Sequence, residues 1–98
     1  MALKAFTKTV SSASTAEALK SSATLASSVI VRAMEDNAGA VYVGDSAVSS
    51  SDGAIEPKAS ISFGGDGNVA MIDLNAIYVD AANSSDGVDV WYIDGSST

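Results

Sequence analysis

The sequence predicts an all-β fold, a small β-sandwich or jelly-roll-like domain of six to eight short antiparallel strands. Short β-branched and aromatic runs alternate with Gly, Asp and Ser turn signals every 8–12 residues, a spacing typical of sandwiches. One signal occurs twice. Residues 41–43 (Val-Tyr-Val) and 77–79 (Ile-Tyr-Val) are each followed by a polar spacer, a Ser-Ser-Asp-Gly ending at Gly53 or Gly87, and another β-prone run. This internal sequence repeat indicates a domain built largely from strands.

The chain begins with an alternating segment, residues 2–11. Its alternation is imperfect, because Lys4 and Lys8 share one parity with apolar side chains. Lysines on a strand discourage unwanted pairing at a sheet edge. We therefore assign residues 1–12 to an N-terminal arm or edge strand and residues 13–98 to a single β-sandwich domain.

Residues 12–28 are rich in Ser, Ala and Thr and give a mixed signal. Ser14 and Glu17 have the spacing of a helix capping box, which favours a helix of one or two turns. The surrounding Ser and Thr residues argue against a long helix. A short strand at residues 18–20, or irregular structure, is the favoured interpretation.

Residues 28–43 predict a β-hairpin. A strand at 28–35 is followed by turn residues at 35–39 and by a second strand from residue 40. Alternation in the first strand separates two sets of side chains. One face carries Val29, Val31 and Ala33, and the other carries Ile30, Arg32 and Met34.

Pro57 precedes a regular period-2 strand at residues 59–63, which predicts Ile61 and Phe63 on the buried face. The glycine-rich residues 64–68 predict a loop. Residues 69–74 are apolar, and we expect either a strand or an extended segment that closes one end of the core.

Residues 76–93 carry the clearest strand signals and predict two strands joined by one turn. The turn is expected at residues 83–87, where Asp-Gly tolerates positive φ. Trp91 and Tyr92 are adjacent and must point to opposite faces of their strand, so one belongs to the core and the other to the surface or an interface. Tyr42 and Tyr78 occupy equivalent places in the two repeats. Core packing and subunit contact are both open for them.

The composition bounds the classes of function. Ninety-eight residues make one domain, and much of the 47% hydrophobic share is alanine, so the core is thin. Small domains with a thin core are commonly stabilised by oligomerisation, so we expect a homo-oligomer. The net charge of −7 disfavours nucleic acid, because an acidic surface repels phosphate. No window is long and apolar enough for a membrane span, and no apolar region of a signal peptide follows Met1.

Catalysis is not expected from these residues. The chain has no histidine and no cysteine, which excludes the commonest general base and all thiolate chemistry. The alternatives are a calcium site and a carboxylate hydrolase. The calcium site would be built from Asp80, Asn83, Asp86 and Asp89. The hydrolase would use the carboxylates of the two repeats, which are Asp80, Asp86 and Asp89 in the second and Asp45 and Asp52 in the first. We interpret these aspartates as turn and surface residues, and we expect no cofactor and no metal.

Several of these motifs together resemble a family of small bacteriophage virion proteins, of the capsid decoration (cement) or head-fibre type. The matching segments cover most of residues 27–94. They are residues 41–45, the Ser-Ser-x-Gly loop ending at Gly53, the strand at 57–63, residues 72–81 and residues 85–88. Such proteins often carry Gly where this chain has Lys58.

The resemblance implies a β-sandwich without catalytic residues that coats a capsid. We expect a decoration protein that binds and stabilises the shell of major capsid protein as a homo-oligomer, with a trimer favoured over a dimer. It would be made in the host cytoplasm and lie on the virion surface. The alternative is a fibre- or tail-associated adaptor that binds the host surface.

The basic N-terminal third supplies the candidate capsid contacts, Lys4, Phe6, Lys8 and Lys20. Residues 2–12 are expected to be removable without unfolding the domain. Candidates for a subunit interface or for the core are Tyr42, Tyr78, Trp91 and Tyr92.

Overall fold

The computed structural model describes residues 3–49, 53–64 and 72–94, and these residues form two antiparallel sheets. The prediction of an all-β sandwich is confirmed. The described residues contain nine strands, three of which are only two residues long, and one 3-10 helix at Leu74–Ala76. The strands are Leu3–Thr9 (β1), Glu17–Ala18 (β2), Leu25–Ala33 (β3), Val41–Gly44 (β4), Ala54–Ile55 (β5), Ser60–Gly64 (β6), Ile72–Asp73 (β7), Tyr78–Ala81 (β8) and Gly87–Asp94 (β9). None of the described residues belongs to a helix long and apolar enough to cross a membrane.

The larger sheet has the order β1-β9-β3-β6, and β7 pairs with the start of β3. Its central strand β9 runs antiparallel to both β1 and β3 over most of its length. The smaller sheet has the order β2-β8-β4-β5. Two sheets of this kind bury alternate residues of every strand against each other.

The core is built from small and β-branched side chains of both sheets. Its fully buried members include Val29 and Val31 of β3, Val41 of β4, and Val88 and Val90 of β9. Leu74 in the 3-10 helix is also fully buried, which agrees with a segment near residue 74 that closes the core. Residues 69–71 of that predicted segment, and 65–68 of the predicted loop, lie outside the described residues.

The hairpin predicted at residues 28–43 is wrong, because its connection crosses from one sheet to the other. β3 belongs to the larger sheet and β4 to the smaller one. The stretch 76–93 likewise gives β8 in the smaller sheet and β9 in the larger. Turn residues between apolar runs show that the chain reverses, but they do not show whether the reversed strand pairs with its predecessor.

Alternation within β3 follows the prediction, since Val29, Val31 and Ala33 are fully buried. The strand at β6 is only partly as predicted. Ile61 pairs with Val31, so it lies on the inner side of the sheet, yet it is 39% exposed. β6 is an edge strand of the larger sheet, and the smaller sheet does not fully cover Ile61 there. Phe63 is half-buried and packs against the core.

The N-terminal segment is an edge strand. β1 pairs with β9 through seven consecutive residues, and Val10 immediately after it is fully buried. Removal of residues 2–12 would therefore uncover β9 and delete a core side chain, which corrects the expectation that the domain folds without them. At residues 12–28 the structure has the short strand β2 instead of a capped helix, and Ser14 adopts a φ of 71°.

Asp86 ties the β8–β9 connection to the loop after β3. Its buried carboxylate accepts hydrogen bonds from the N–H groups of Ala38 and Gly39, both at 3.0 Å. Asn37 adds two hydrogen bonds with the backbone of Gly87, at 2.9 Å each. The expectation that Asp86 is a surface residue is wrong, because its carboxylate satisfies backbone donors that the fold takes away from water.

Lys58 occupies the turn between β5 and β6 with a φ of 75°. This is the left-handed region, where glycine carries no steric penalty and other residues cost about 1–2 kcal/mol. Its N–H donates to the Ala33 carbonyl at 3.0 Å, which joins the turn to the end of β3. The backbone at this position adopts a conformation typical of glycine, although the residue is lysine.

Replacement of Lys58 by Gly should raise the free energy of unfolding by about 0.5–1 kcal/mol, because the relief of the left-handed penalty exceeds the entropy that glycine gains in the unfolded chain. Urea denaturation measures the change. Lys58→Ala is the matched control: it also removes the charge but keeps the penalty, so its stability should stay near that of the parent. Equal stabilisation by both variants would attribute the effect to charge and contradict this explanation.

Replacement of Asp86 by Asn should lower the free energy of unfolding by about 2 kcal/mol, because one acceptor oxygen remains for two backbone donors and the amide opposes the second. Asp45→Asn is the control, since the Asp45 carboxylate lies in an exposed turn and accepts from Ala47 within two residues. It should change stability by less than about 0.5 kcal/mol. Similar costs for the two variants would show that burial of Asp86 is unimportant.

Candidate functional site

The structure brings together the four residues that the sequence proposes for capsid contact. Lys4, Phe6 and Lys8 alternate along β1 and share its inward side. Lys20 reaches the same place, with its Nζ 4.3 Å from the centroid of the Phe6 ring, a cation–π distance. The Phe6 ring meets Tyr92 edge to face, with ring centroids 5.9 Å apart. We call this group the basic edge, defined as Lys4, Phe6, Lys8, Glu17 and Lys20.

Glu17 of β2 holds the basic edge together across the two sheets. Its carboxylate accepts from Lys8 Nζ at 2.9 Å and from the Ser11 N–H at 2.8 Å. These two donors, the Lys8 ammonium first, hold the pKa of Glu17 below its ordinary value of 4.5. Lys8 is therefore held by an ion pair within the molecule. Lys4 lies on the same side of the same strand and is exposed.

A second surface lies on the outward side of the larger sheet, where the register aligns residues of three strands in rows. One row is Ala5, Trp91 and Ile30, and the next is Thr7, Asp89 and Arg32. Leu3 and Ile30 in this region are 69% and 42% exposed. We call this surface the outer patch, defined as Leu3, Ala5, Thr7, Ile30, Arg32, Asp89 and Trp91.

Asp89 is the polar centre of the outer patch. Its carboxylate accepts from Thr7 Oγ1 at 3.0 Å and from Arg32 Nη2 at 3.2 Å, on its two separate oxygens. The Arg32 guanidinium carbon also lies 5.9 Å from the centroid of the Trp91 ring. The Arg32 Nε is buried and has no hydrogen-bond partner among the described residues. The patch is thus apolar and aromatic around one internally neutralised ion pair.

A shallow, open cleft of about 230 Å³ lies over the paired strands β1 and β9 in the outer patch. It is lined by Ala5, Phe6, Thr7, Asp89, Val90 and Trp91. The small side chain of Ala5 lies opposite Trp91 and leaves space beside the indole. The cleft therefore has an aromatic wall and a carboxylate and a hydroxyl at one end.

The four predicted interface or core aromatics take different places. Tyr92 is 7% exposed and lies in the core, and Trp91 is half-buried on the opposite face, as their adjacency predicts. Tyr42 and Tyr78 are half-buried in the smaller sheet, on the side away from Val43 and Val79. They do not belong to the buried core, so subunit contact stays a prediction for them.

The aspartates considered for catalysis or calcium do not form a site. Asp80 is buried, and its carboxylate accepts from the Ala81 N–H at 2.7 Å, while Asp86 caps backbone donors. Among the residues that the structure describes, no three acidic side chains lie close enough to hold a metal ion. The interpretation of these residues as surface groups is wrong for Asp80 and Asp86, which serve the fold.

The outer patch was not found from the sequence. The alternation of residues 28–35 separates Ile30 and Arg32 from the core face, but it gives no hint that Trp91 and Ala5 lie beside them. That alignment depends on which strands become neighbours.

Comparison with protein-family models, with curated proteins and with solved structures finds no match for this chain.

The Glu17 carboxylate should make stability depend on pH. Because its pKa is lowered in the folded protein, its contribution is fully present above the unfolded value of about 4.5 and is lost as the pH falls through the folded value. Glu17→Gln should cost less than about 1 kcal/mol at pH 7 and a smaller amount at pH 3, measured by urea denaturation at both pH values. Glu35→Gln, in an exposed turn, is the control. An equal cost of Glu17→Gln at both pH values would contradict this role.

Proposed function

We propose that the protein is a non-enzymatic capsid decoration protein that binds the shell of a bacteriophage through the basic edge. The observation that carries the proposal is the gathering of Lys4, Lys8 and Lys20 around Phe6 in a chain whose net charge is −7. Opposite charge steers partners toward one side of such a molecule and suppresses wrong orientations. An acidic region of the major capsid protein is the partner that this edge fits.

The basic edge contacts the shell as part of a folded edge strand and not as a free arm. β1 is paired with β9 through seven residues, so Lys4 and Lys8 are presented at fixed spacing. Pre-ordered contacts cost less conformational entropy on binding than a disordered segment does. Each contact is weak by itself, and we propose that a homo-oligomer, a trimer in preference to a dimer, adds avidity over the shell.

The resemblance of residues 27–94 to small virion proteins supports the capsid setting. The absence of histidine and cysteine from the chain supports a binding role over a catalytic one. The lysines of β1, Lys4 and Lys8, also agree with protection of the β1 edge against uncontrolled strand pairing. These features fit a protein displayed in many ordered copies.

The first test is the place and number of copies in purified virions, by quantitative mass spectrometry and electron cryomicroscopy. The proposal expects hundreds of copies distributed over the shell. A few copies at a single vertex would instead support a fibre- or tail-associated adaptor. Complete absence from the particles would overturn the capsid role.

The second test uses charge reversal at the basic edge. Lys4→Glu combined with Lys20→Glu should weaken binding to undecorated capsids at least about tenfold, measured by co-sedimentation, because attraction becomes repulsion. Lys58→Glu makes half of that charge change, at the β5–β6 turn away from the basic edge, and should bind like the parent. If the Lys58 variant loses as much affinity as the double variant, net charge decides binding and the basic edge does not.

A further inference from the structure

The cleft of the outer patch offers a combination of groups that the capsid role leaves unused. One wall is the indole of Trp91, the only tryptophan in the chain. Its other boundaries include the methyl group of Ala5, the hydroxyl of Thr7 and the carboxylate of Asp89. Pockets that bind small molecules combine an aromatic surface with a few placed polar groups in this way.

The hydrogen-bonding state of these groups favours a ligand rich in hydroxyls. Each Asp89 carboxylate oxygen accepts one described hydrogen bond, from Thr7 or from Arg32, and a carboxylate oxygen has room for a second. The Thr7 hydroxyl donates to Asp89, so its lone pairs remain available as acceptors. The cleft therefore presents acceptors to a partner that donates several O–H groups.

The electrostatics favour a neutral ligand. An anion would meet the Asp89 carboxylate and the net charge of −7. A cation would compete with Arg32, which already neutralises Asp89 and approaches the Trp91 ring from the β3 side. A neutral ligand meets neither obstacle.

The size of the cleft limits what enters it. About 230 Å³ is below the roughly 300–1,000 Å³ of pockets for drug-sized ligands, and it suits a single ring. A pyranose has an apolar C–H face that can lie against an indole and hydroxyl groups around its rim. We propose that this cleft binds one ring of a neutral carbohydrate, with the sugar stacked on Trp91 and its hydroxyls donating to Asp89 and Thr7.

The inference goes beyond capsid decoration and does not depend on it, because it requires only the cleft. The two sites share only Phe6, which belongs to the basic edge and also lines the cleft. The lysines Lys4 and Lys8 belong to the basic edge alone, whereas Ala5 and Thr7 lie on the outer patch. Failure of sugar binding would therefore leave the capsid proposal standing, and the reverse also holds.

Tryptophan fluorescence of the full chain gives a direct test, since the single indole reports from the cleft. Chitotetraose, maltotetraose and cellotetraose are titrated separately, and at least one should give a saturable shift in emission. A dissociation constant of about 0.1–1 mM is expected, because an open cleft covers only part of one ring. Saturation-transfer NMR should show the same sugar in contact with aromatic protons of the protein.

Two variants locate the binding, and a third serves as control. Ala5→Leu fills the space beside Trp91 and should weaken binding at least about tenfold, and Thr7→Val removes one hydroxyl and should weaken it about threefold to tenfold. Ile30→Ala alters the other side of Trp91 in the same row and should change binding by less than about twofold. Circular dichroism and thermal unfolding establish that each variant is folded.

Three results would overturn the proposal. The first is the absence of a saturable response to all three sugars together with no binding on an array of neutral glycans. The second is an emission shift that follows protein concentration alone, which would assign the outer patch to contact between copies of the chain. The third is equal loss of binding in Ile30→Ala and Ala5→Leu, because the response would then arise from the whole face and not from the cleft.

Discussion

The buried carboxylate of Asp86 is the interaction on which the arrangement of the two sheets depends. It lies where the chain leaves β8 in the smaller sheet and enters β9 in the larger one. By accepting from the N–H groups of Ala38 and Gly39, it also fixes the connection that carries β3 over to β4. These two crossings between the sheets are thus joined by one carboxylate, which water would otherwise solvate. In a domain with a thin core, such charge-assisted hydrogen bonds carry a large part of the specificity of the fold.

What Asp86 and Asn37 fix most directly is the start of β9, the central strand of the larger sheet. A Cβ at Gly87 would lie 2.2 Å from the carbonyl oxygen of Lys8, so only glycine allows this close approach of β1. From that point the register runs along β9 and decides which side every residue faces. A slip by one residue would move Tyr92 out of the core and Trp91 into it. The same constraint therefore determines the core, the basic edge and the outer patch.

Local features were predictable from the sequence, and neighbour relations were not. Alternation predicted which residues of β3 share a face and that Trp91 and Tyr92 point to opposite faces, because side-chain period is a property of one strand. The pairing of β8 with β4, and not with β9, depends on which pairing buries both apolar faces, and turn residues carry no information on that. The backbone conformation of Lys58 is a local feature that the sequence did not predict. The position of this lysine beside Pro57 is visible in the sequence, but its positive φ occurs together with a hydrogen bond to Ala33, a residue distant in the chain.

The two candidate surfaces are separable because they lie on alternate residues of one edge strand. Lys4 and Lys8 lie on the inward side of β1, where Glu17 pairs with Lys8 and Lys20 lies over Phe6. Ala5 and Thr7 face outward beside Trp91. A partner at the basic edge therefore need not cover the cleft, and a partner in the cleft need not displace the lysines. If the basic edge contacts a shell, β1 stands at the boundary between the bound side and the open face of the larger sheet. The outer patch would then remain accessible in every copy, and weak recognition by one cleft would be multiplied by the number of copies displayed.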